Sequence, residues 1–143
     1  MKGYAMENTK IVNTLTIDGA RLCLDAAVSA AEKLGIAVCI AVVDQAGHLL
    51  VFERMDGAGT LSIALSQDKA YTVTSFGVPT AQWYPMIADE PAVLHGIVKA
   101  NRLMIFGGGV PVIQDGQIVG AIGVSGGVGD QDEQIAAAGA AVI

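Results

Sequence analysis

Charge is scarce in this chain of 143 residues: Asp, Glu, Lys and Arg together make up 15%, against about 25% in an average soluble domain. Only eight residues are basic and the net charge is −6. No segment gathers Lys or Arg, so the positive face that a phosphate backbone demands is missing, and nucleic acid is excluded as a partner. Aromatic residues are also few, at 5%. No apolar run reaches the roughly 18 residues of a membrane span, because Gly, Asp and Glu interrupt every candidate, so no membrane partner is expected. The stretch Met1 to Asn13 has neither an apolar core nor a small-residue cleavage pattern, which predicts a cytoplasmic chain. Cysteines number two. Cys23 and Cys39 lie on predicted buried faces and form no CxxC pair, the pattern of reduced core thiols rather than of a disulfide or metal clip.

What is abundant is small and apolar. Hydrophobic residues reach 52% and there are 18 glycines, which excludes disorder and suits tightly packed layers. With so little charge left for the outside, part of the surface is expected to be covered by further copies of the chain.

Thr16 can cap a helix whose apolar positions run Ala20, Cys23, Leu24, Ala27, Val28, Ala31 and Leu34, with Gly35 as its stop. Ile36 to Val43 and His48 to Glu53 read as a hairpin around the turn Asp44 to Gly47. Thr60 opens a second helix that ends before Gly77, and Pro91 sits in the first turn of a third. Met104 to Phe106, Val110 to Ile113 and Ile118 to Ser125 read as three strands, the last two joined through Asp115-Gly116, and a final helix follows Asp130. The order α-β-β-α-α-β-β-β-α is rich in hairpins and predicts an α/β (α+β) domain, an antiparallel sheet covered by helices. Residues 1–143 form a single domain in this reading, with residues 1–14 as an N-terminal extension.

Two glycine clusters at strand ends carry the strongest chemical signal. Gly107, Gly108 and Gly109 interrupt one strand, and Ser125, Gly126 and Gly127 end another. Such breaks can rim a pocket whose backbone N–H groups hold an anionic or carbonyl oxygen; a bulge and a tight turn would look the same. Asp130, Asp132 and Glu133 stand where a helix begins, where carboxylates cap; alternatively, Asp130 or Glu133 faces the glycine rim and binds a ligand. Lys69 lies among apolar neighbours. Enclosed there, it would have a lowered pKa and could act as a base or amine, and with Arg54 it suits an acidic small molecule. Gly123 to Gly127 matches G-x-S-x-G, but no histidine follows Ser125, which removes the nucleophile-elbow reading. His48 and His95 are isolated, with no metal-ligand spacing to either cysteine.

Taken together, Ala41-Val42-Val43-Asp44 with Gly47-His48, Arg54-Met55-Asp56-Gly57-Ala58, Lys69-Ala70 with Thr72, Gly107-Gly108-Gly109-Val110-Pro111 and Gly120 to Gly127 with Asp130 to Glu133 resemble the GlcG/HbpS-like family, whose domain also ends PduO-type cobalamin adenosyltransferases. The resemblance covers about Leu15 to the C-terminus. It implies a profilin-like three-layer α/β/α fold with a five-stranded antiparallel sheet, and assembly from dimer to octamer. It also implies a small molecule or a tetrapyrrole (haem or corrinoid) as ligand, in a role accessory to glycolate, glycerol or diol catabolism. Arg54, Lys69, Thr72 and the two glycine breaks are the expected ligand-binding residues. The residues fix no cofactor; haem is the one that the resemblance offers. The ligand proposed in some relatives is a histidine of the first helix, but Thr16 to Leu34 contains none; haem here would need His48, His95, a Met or a group from another subunit, with His48 as the candidate metal ligand. An enzyme using Lys69 on a small organic acid or aldehyde, and a purely structural assembly module, are the alternatives.

Overall fold

The first helix begins and ends where the sequence marks it. In the computed structural model, which describes residues 7–143, α1 (Ile17–Leu34) opens with the Thr16 hydroxyl accepting the Gly19 N–H at 3.1 Å, and Gly35 closes it in the left-handed region at φ 70°. There follow β1 (Cys39–Asp44), β2 (Leu49–Arg54), α2 (Leu61–Phe76), two short helices α3 (Trp83–Ile87) and α4 (Pro91–Gly96), β3 (Gly109–Gln114), β4 (Gln117–Ser125) and α5 (Gly129–Ala140). The strands are antiparallel throughout, in the order β2-β1-β4-β3.

The alternation of side chains along each strand builds three layers. Ile40, Val42, Val110, Val112, Ile122 and Val124 pack with Ala20, Cys23, Ala27 and Ala31 of α1 and with Ile135 and Ala136 of α5. On the other face, Val43 and Ala121 meet Ala70 and Val73 of α2. Each fully buried Val or Ile contributes roughly 1.5–3 kcal/mol by leaving water. The approach of α2 depends on Gly123: a Cβ there would collide with the carbonyl oxygen of Ser66 on the helix.

Two expectations are corrected. The described residues form four strands rather than five, because Met104 to Phe106 does not join the sheet. Arg102 turns the chain at φ 67°, and the Thr72 hydroxyl then accepts the Met104 N–H at 3.0 Å, which ties the segment to α2 instead of to a strand edge. Arg54 also belongs to β2 rather than following it.

Of the expected extension 1–14, residues 1–6 lie outside the described residues. Residues 7–14 carry no helix or strand, but the Thr14 hydroxyl accepts the Gln45 N–H at 3.0 Å and Leu15 donates to the Val119 carbonyl at 2.8 Å, so the lead-in to α1 is tied to the sheet. No helix among the described residues is long and apolar enough to cross a membrane.

Candidate functional site

At the end of the sheet where β3 and β4 part, Lys69 is enclosed, its side chain 1% exposed. Its ammonium donates to the Val124 carbonyl at 2.8 Å and to Asp132 Oδ2 at 3.2 Å, and it lies 4.9 Å from the centre of the Phe106 ring. Three donors thus meet a carbonyl, a carboxylate and an aromatic face, which is what a buried ammonium requires. Burial pulls the Lys69 pKa below the ordinary lysine value, and the Asp132 charge opposes that pull. The helix-facing pattern explains the partner. Asp132, Ile135, Ala136 and Gly139 are the buried positions of α5, so Asp132 is carried onto the inner stripe by the same spacing that buries Ile135.

The glycine breaks frame this pair. Gly108 sits at φ 127°, and a Cβ there would strike the Val124 carbonyl and approach Lys69 Nζ to 2.7 Å. Gly107 lies against the start of α5, where a Cβ would stand 3.4 Å from Glu133 Oε2. Two of the amides expected to await a ligand oxygen are engaged internally. Gly109 donates to the Thr80 hydroxyl at 2.8 Å and Gly127 to Asp132 Oδ1 at 2.8 Å. The Ser125 hydroxyl lies 3.3 Å from that of Ser62, and Gly126 turns the chain at φ 141°.

The structure therefore brings Lys69, Gly107, Gly108, Gly127 and Glu133 together, and separates the rest. Arg54 stands two strands from Ser125, since Arg54 pairs with Cys39 and Cys39 with Ser125. It donates to the Ala58 carbonyl at 3.3 Å and shares a surface hollow with Glu32, Glu53 and Asp56, three carboxylates that disfavour an acidic ligand there. Thr72 is buried on α2 and holds the 102–104 segment. Asp130 is exposed on the first turn of α5. His48 lies at the opposite end of the sheet, its side chain 79% exposed, 3.3 Å from Asp44 Oδ2; His95 is exposed on α4. Sequence reasoning passed over Asp132, Thr80 and Phe106 as site residues. The stripe shared with Ile135 would have revealed Asp132; nothing in the local pattern marks the other two.

A single chain does not supply a haem cradle from these histidines. A ligating imidazole needs an apolar recess to cover the porphyrin beside it, and both rings instead face outward.

The comparisons with known proteins agree with this architecture. A family model described as "Haem degrading protein HbpS-like" matches residues 15–141. An uncharacterized 15.0 kDa protein from the dhaT–dhaS intergenic region of Citrobacter freundii is 35% identical over 133 residues, covering 92% of this chain and 93% of that one. The crystal structure of an HbpS double mutant from Streptomyces reticuli has 40% identity and a TM-score of 0.85, with 94% of this chain and 90% of that one covered. A PduOC complex with haem has 29% identity and a TM-score of 0.81, with 91% and 95% covered. Three-layer fold, antiparallel order and the paired glycine breaks thus coincide with a match over almost the whole chain, and the protein belongs to the HbpS-like family.

Proposed function

We propose that this chain is a cytoplasmic homo-oligomer that binds a small molecule or tetrapyrrole, haem or a corrinoid, in a role accessory to glycolate, glycerol or diol catabolism. One observation carries the reading: the chain belongs to the HbpS-like family and shares its fold with a protein crystallised with haem. Because His48 and His95 both face outward, a haem ligated by either of them would have to be enclosed by a second copy. The exposed apolar side chains Leu61, Tyr84, Met86 and Val98 supply surface for such assembly. Haem titration read at the Soret band tests this together with sedimentation. A saturable shift that is lost in His48→Ala or His95→Ala, in a protein sedimenting as a dimer or larger, is the expected result. A monomer at micromolar concentration, or a shift unchanged in both variants, overturns histidine ligation between copies.

A second reading follows from the enclosed Lys69, whose pKa burial lowers: an amine or base acting on a small aldehyde or acid, admitted when Phe106 moves aside. Cyanoborohydride trapping with glycolaldehyde, read by intact mass, tests it. An adduct on Lys69 supports the reading; none on that residue removes the amine role.

A further inference from the structure

A second recess lies away from Lys69, on the outer side of α2. It is a mostly apolar cleft of about 100 Å³ between the C-terminal half of α2 (Tyr71, Thr72, Ser75 and Phe76) and residues 100–103. Its polar wall is Arg102, which is unusual in three ways. The residue sits at φ 67°, a region that costs an ordinary side chain on the order of 1–3 kcal/mol and persists only where the surroundings hold it. They do so here: Nε donates to Asp68 Oδ1 at 2.8 Å, the guanidinium lies 3.9 Å from the centre of the Tyr71 ring, and the Thr72 hydroxyl shares its one proton between the Asp68 and Arg102 carbonyls, at 2.8 and 2.9 Å. Finally, Asp68 engages only Nε; among the described residues neither Nη atom has a hydrogen-bond partner, and the side chain is 37% exposed.

The apolar wall is held as firmly. Phe76 is 65% exposed, yet its ring packs edge-on against the buried Trp83, with centroids 5.1 Å apart and planes at 87°. A fixed aromatic and a fixed guanidinium edge thus face one small hollow. We infer that this cleft binds a small organic carboxylate, its two oxygens on the free Nη edge of Arg102 and its hydrocarbon part against Phe76 and Leu103. The guanidinium fork matches a carboxylate in bidentate fashion. The volume suits a ligand of a few carbons rather than the drug-sized molecules that fill pockets of roughly 300–1,000 Å³. Asp68 already offsets part of the Arg102 charge, which favours a monoanion over a phosphate ester.

The test is amide chemical-shift titration of the isotope-labelled protein with butyrate, and with butyramide as the neutral isostere. The expected result is a saturable change at Ser75 and at residues 100–103 with butyrate, weakened at least ~tenfold with butyramide and in Arg102→Gln. Equal affinity for both compounds, no saturation at millimolar butyrate, or full binding by Arg102→Gln overturns the inference. Should that variant loosen the 100–103 turn, Ser75→Tyr decides: it fills the hollow while leaving Asp68, Tyr71 and Arg102 themselves unsubstituted, and must abolish butyrate binding. Haem titration of Ser75→Tyr is expected to match wild type, so failure here and failure of the family reading remain distinguishable.

Discussion

Lys69 and Asp132, 63 residues apart in the chain and on helices that cover opposite faces of the sheet, meet at 3.2 Å with side chains 1% and 4% exposed. The pair ties the two helical layers together at the end where β3 and β4 separate. Removing one partner strands a charge in a dry site, which typically costs ~3–5 kcal/mol, whereas replacing both with apolar groups of similar size is often neutral. Lys69→Met and Asp132→Asn are each expected to lose several kcal/mol in urea unfolding, and Lys69→Met/Asp132→Asn to recover most of that loss, since the Asn oxygen still accepts the Gly127 N–H. Single variants within about 1 kcal/mol of wild type would contradict the assignment.

Phe106 stands 4.9 Å over the ammonium and is itself 49% exposed. It is the thinnest wall of the enclosure. Phe106→Ala is expected to cost ~0.5–2 kcal/mol through the lost cation–π contact. It is also expected to make Lys69 reactive toward an amine-directed reagent too bulky to pass Phe106, which leaves it untouched in wild type, as read by peptide mass mapping.

Thr72 lies on α2 behind the turn at Arg102, accepting from Met104 N–H and bonded to the Arg102 carbonyl. Thr72→Val keeps the shape and removes both contacts. Leaving such backbone groups unsatisfied costs about 1–3 kcal/mol. The expected outcome is a loss in that range, with faster hydrogen exchange confined to residues 102–104; an unchanged exchange pattern would show that Thr72 does not hold this turn.

Cys23 is buried in α1, and desolvation pushes its thiol from 9.0 up to about 11. Between those values the folded chain keeps a proton that the unfolded chain has lost. The resulting stability is complete below pH 9.0 and disappears as pH approaches 11, amounting to roughly 2–3 kcal/mol. Lys69, held below 10.5 by burial, acts in the opposite sense just under that value, so the informative quantity is wild type minus Cys23→Ala. That difference is expected to shrink steadily on going from pH 8.5 to 10.5 in urea titrations; a constant difference would refute the assignment.

Gly123 admits α2 onto β4, since an added Cβ would collide with the Ser66 carbonyl. Overpacking against backbone commonly costs ~1–3 kcal/mol or more. Gly123→Ala is expected to destabilise by at least that amount in thermal unfolding, while Gly96→Ala, where a Cβ meets nothing within 4 Å and φ is −85°, serves as the control without a clash.

The helix ends were legible because caps are local: Thr16, Gly35 and Gly77 act within a few residues of themselves. The β1–β2 and β3–β4 hairpins were equally readable from Gly47 and Asp115-Gly116. Met104 to Phe106 misled because its apolar character satisfies a strand pattern, while its actual partners, Thr72 and Lys69, come from a helix some thirty residues earlier. Arg54 drew notice for its rarity in a chain poor in cations, yet three carboxylates line the same surface hollow.

The sequence by itself determined an antiparallel sheet covered by helices and the presence of two glycine breaks, because periodicity, capping and turn chemistry act over short spans of chain; the three-layer plan and the family were implied by the resemblance that its motifs carry. Only the tertiary structure decided which scarce charges meet. Lys69 selects Asp132 rather than Asp130 or Glu133 because helix phase and sheet packing turn that one carboxylate inward. Arg102 gains a free guanidinium edge because Asp68, Tyr71 and Thr72 converge on it from a neighbouring helix. In a chain with few charges, each pairing depends on which side chains the fold leaves within about 4 Å of one another, where Coulomb attraction offsets part of the cost of leaving water, and that distance is not written in sequence separation.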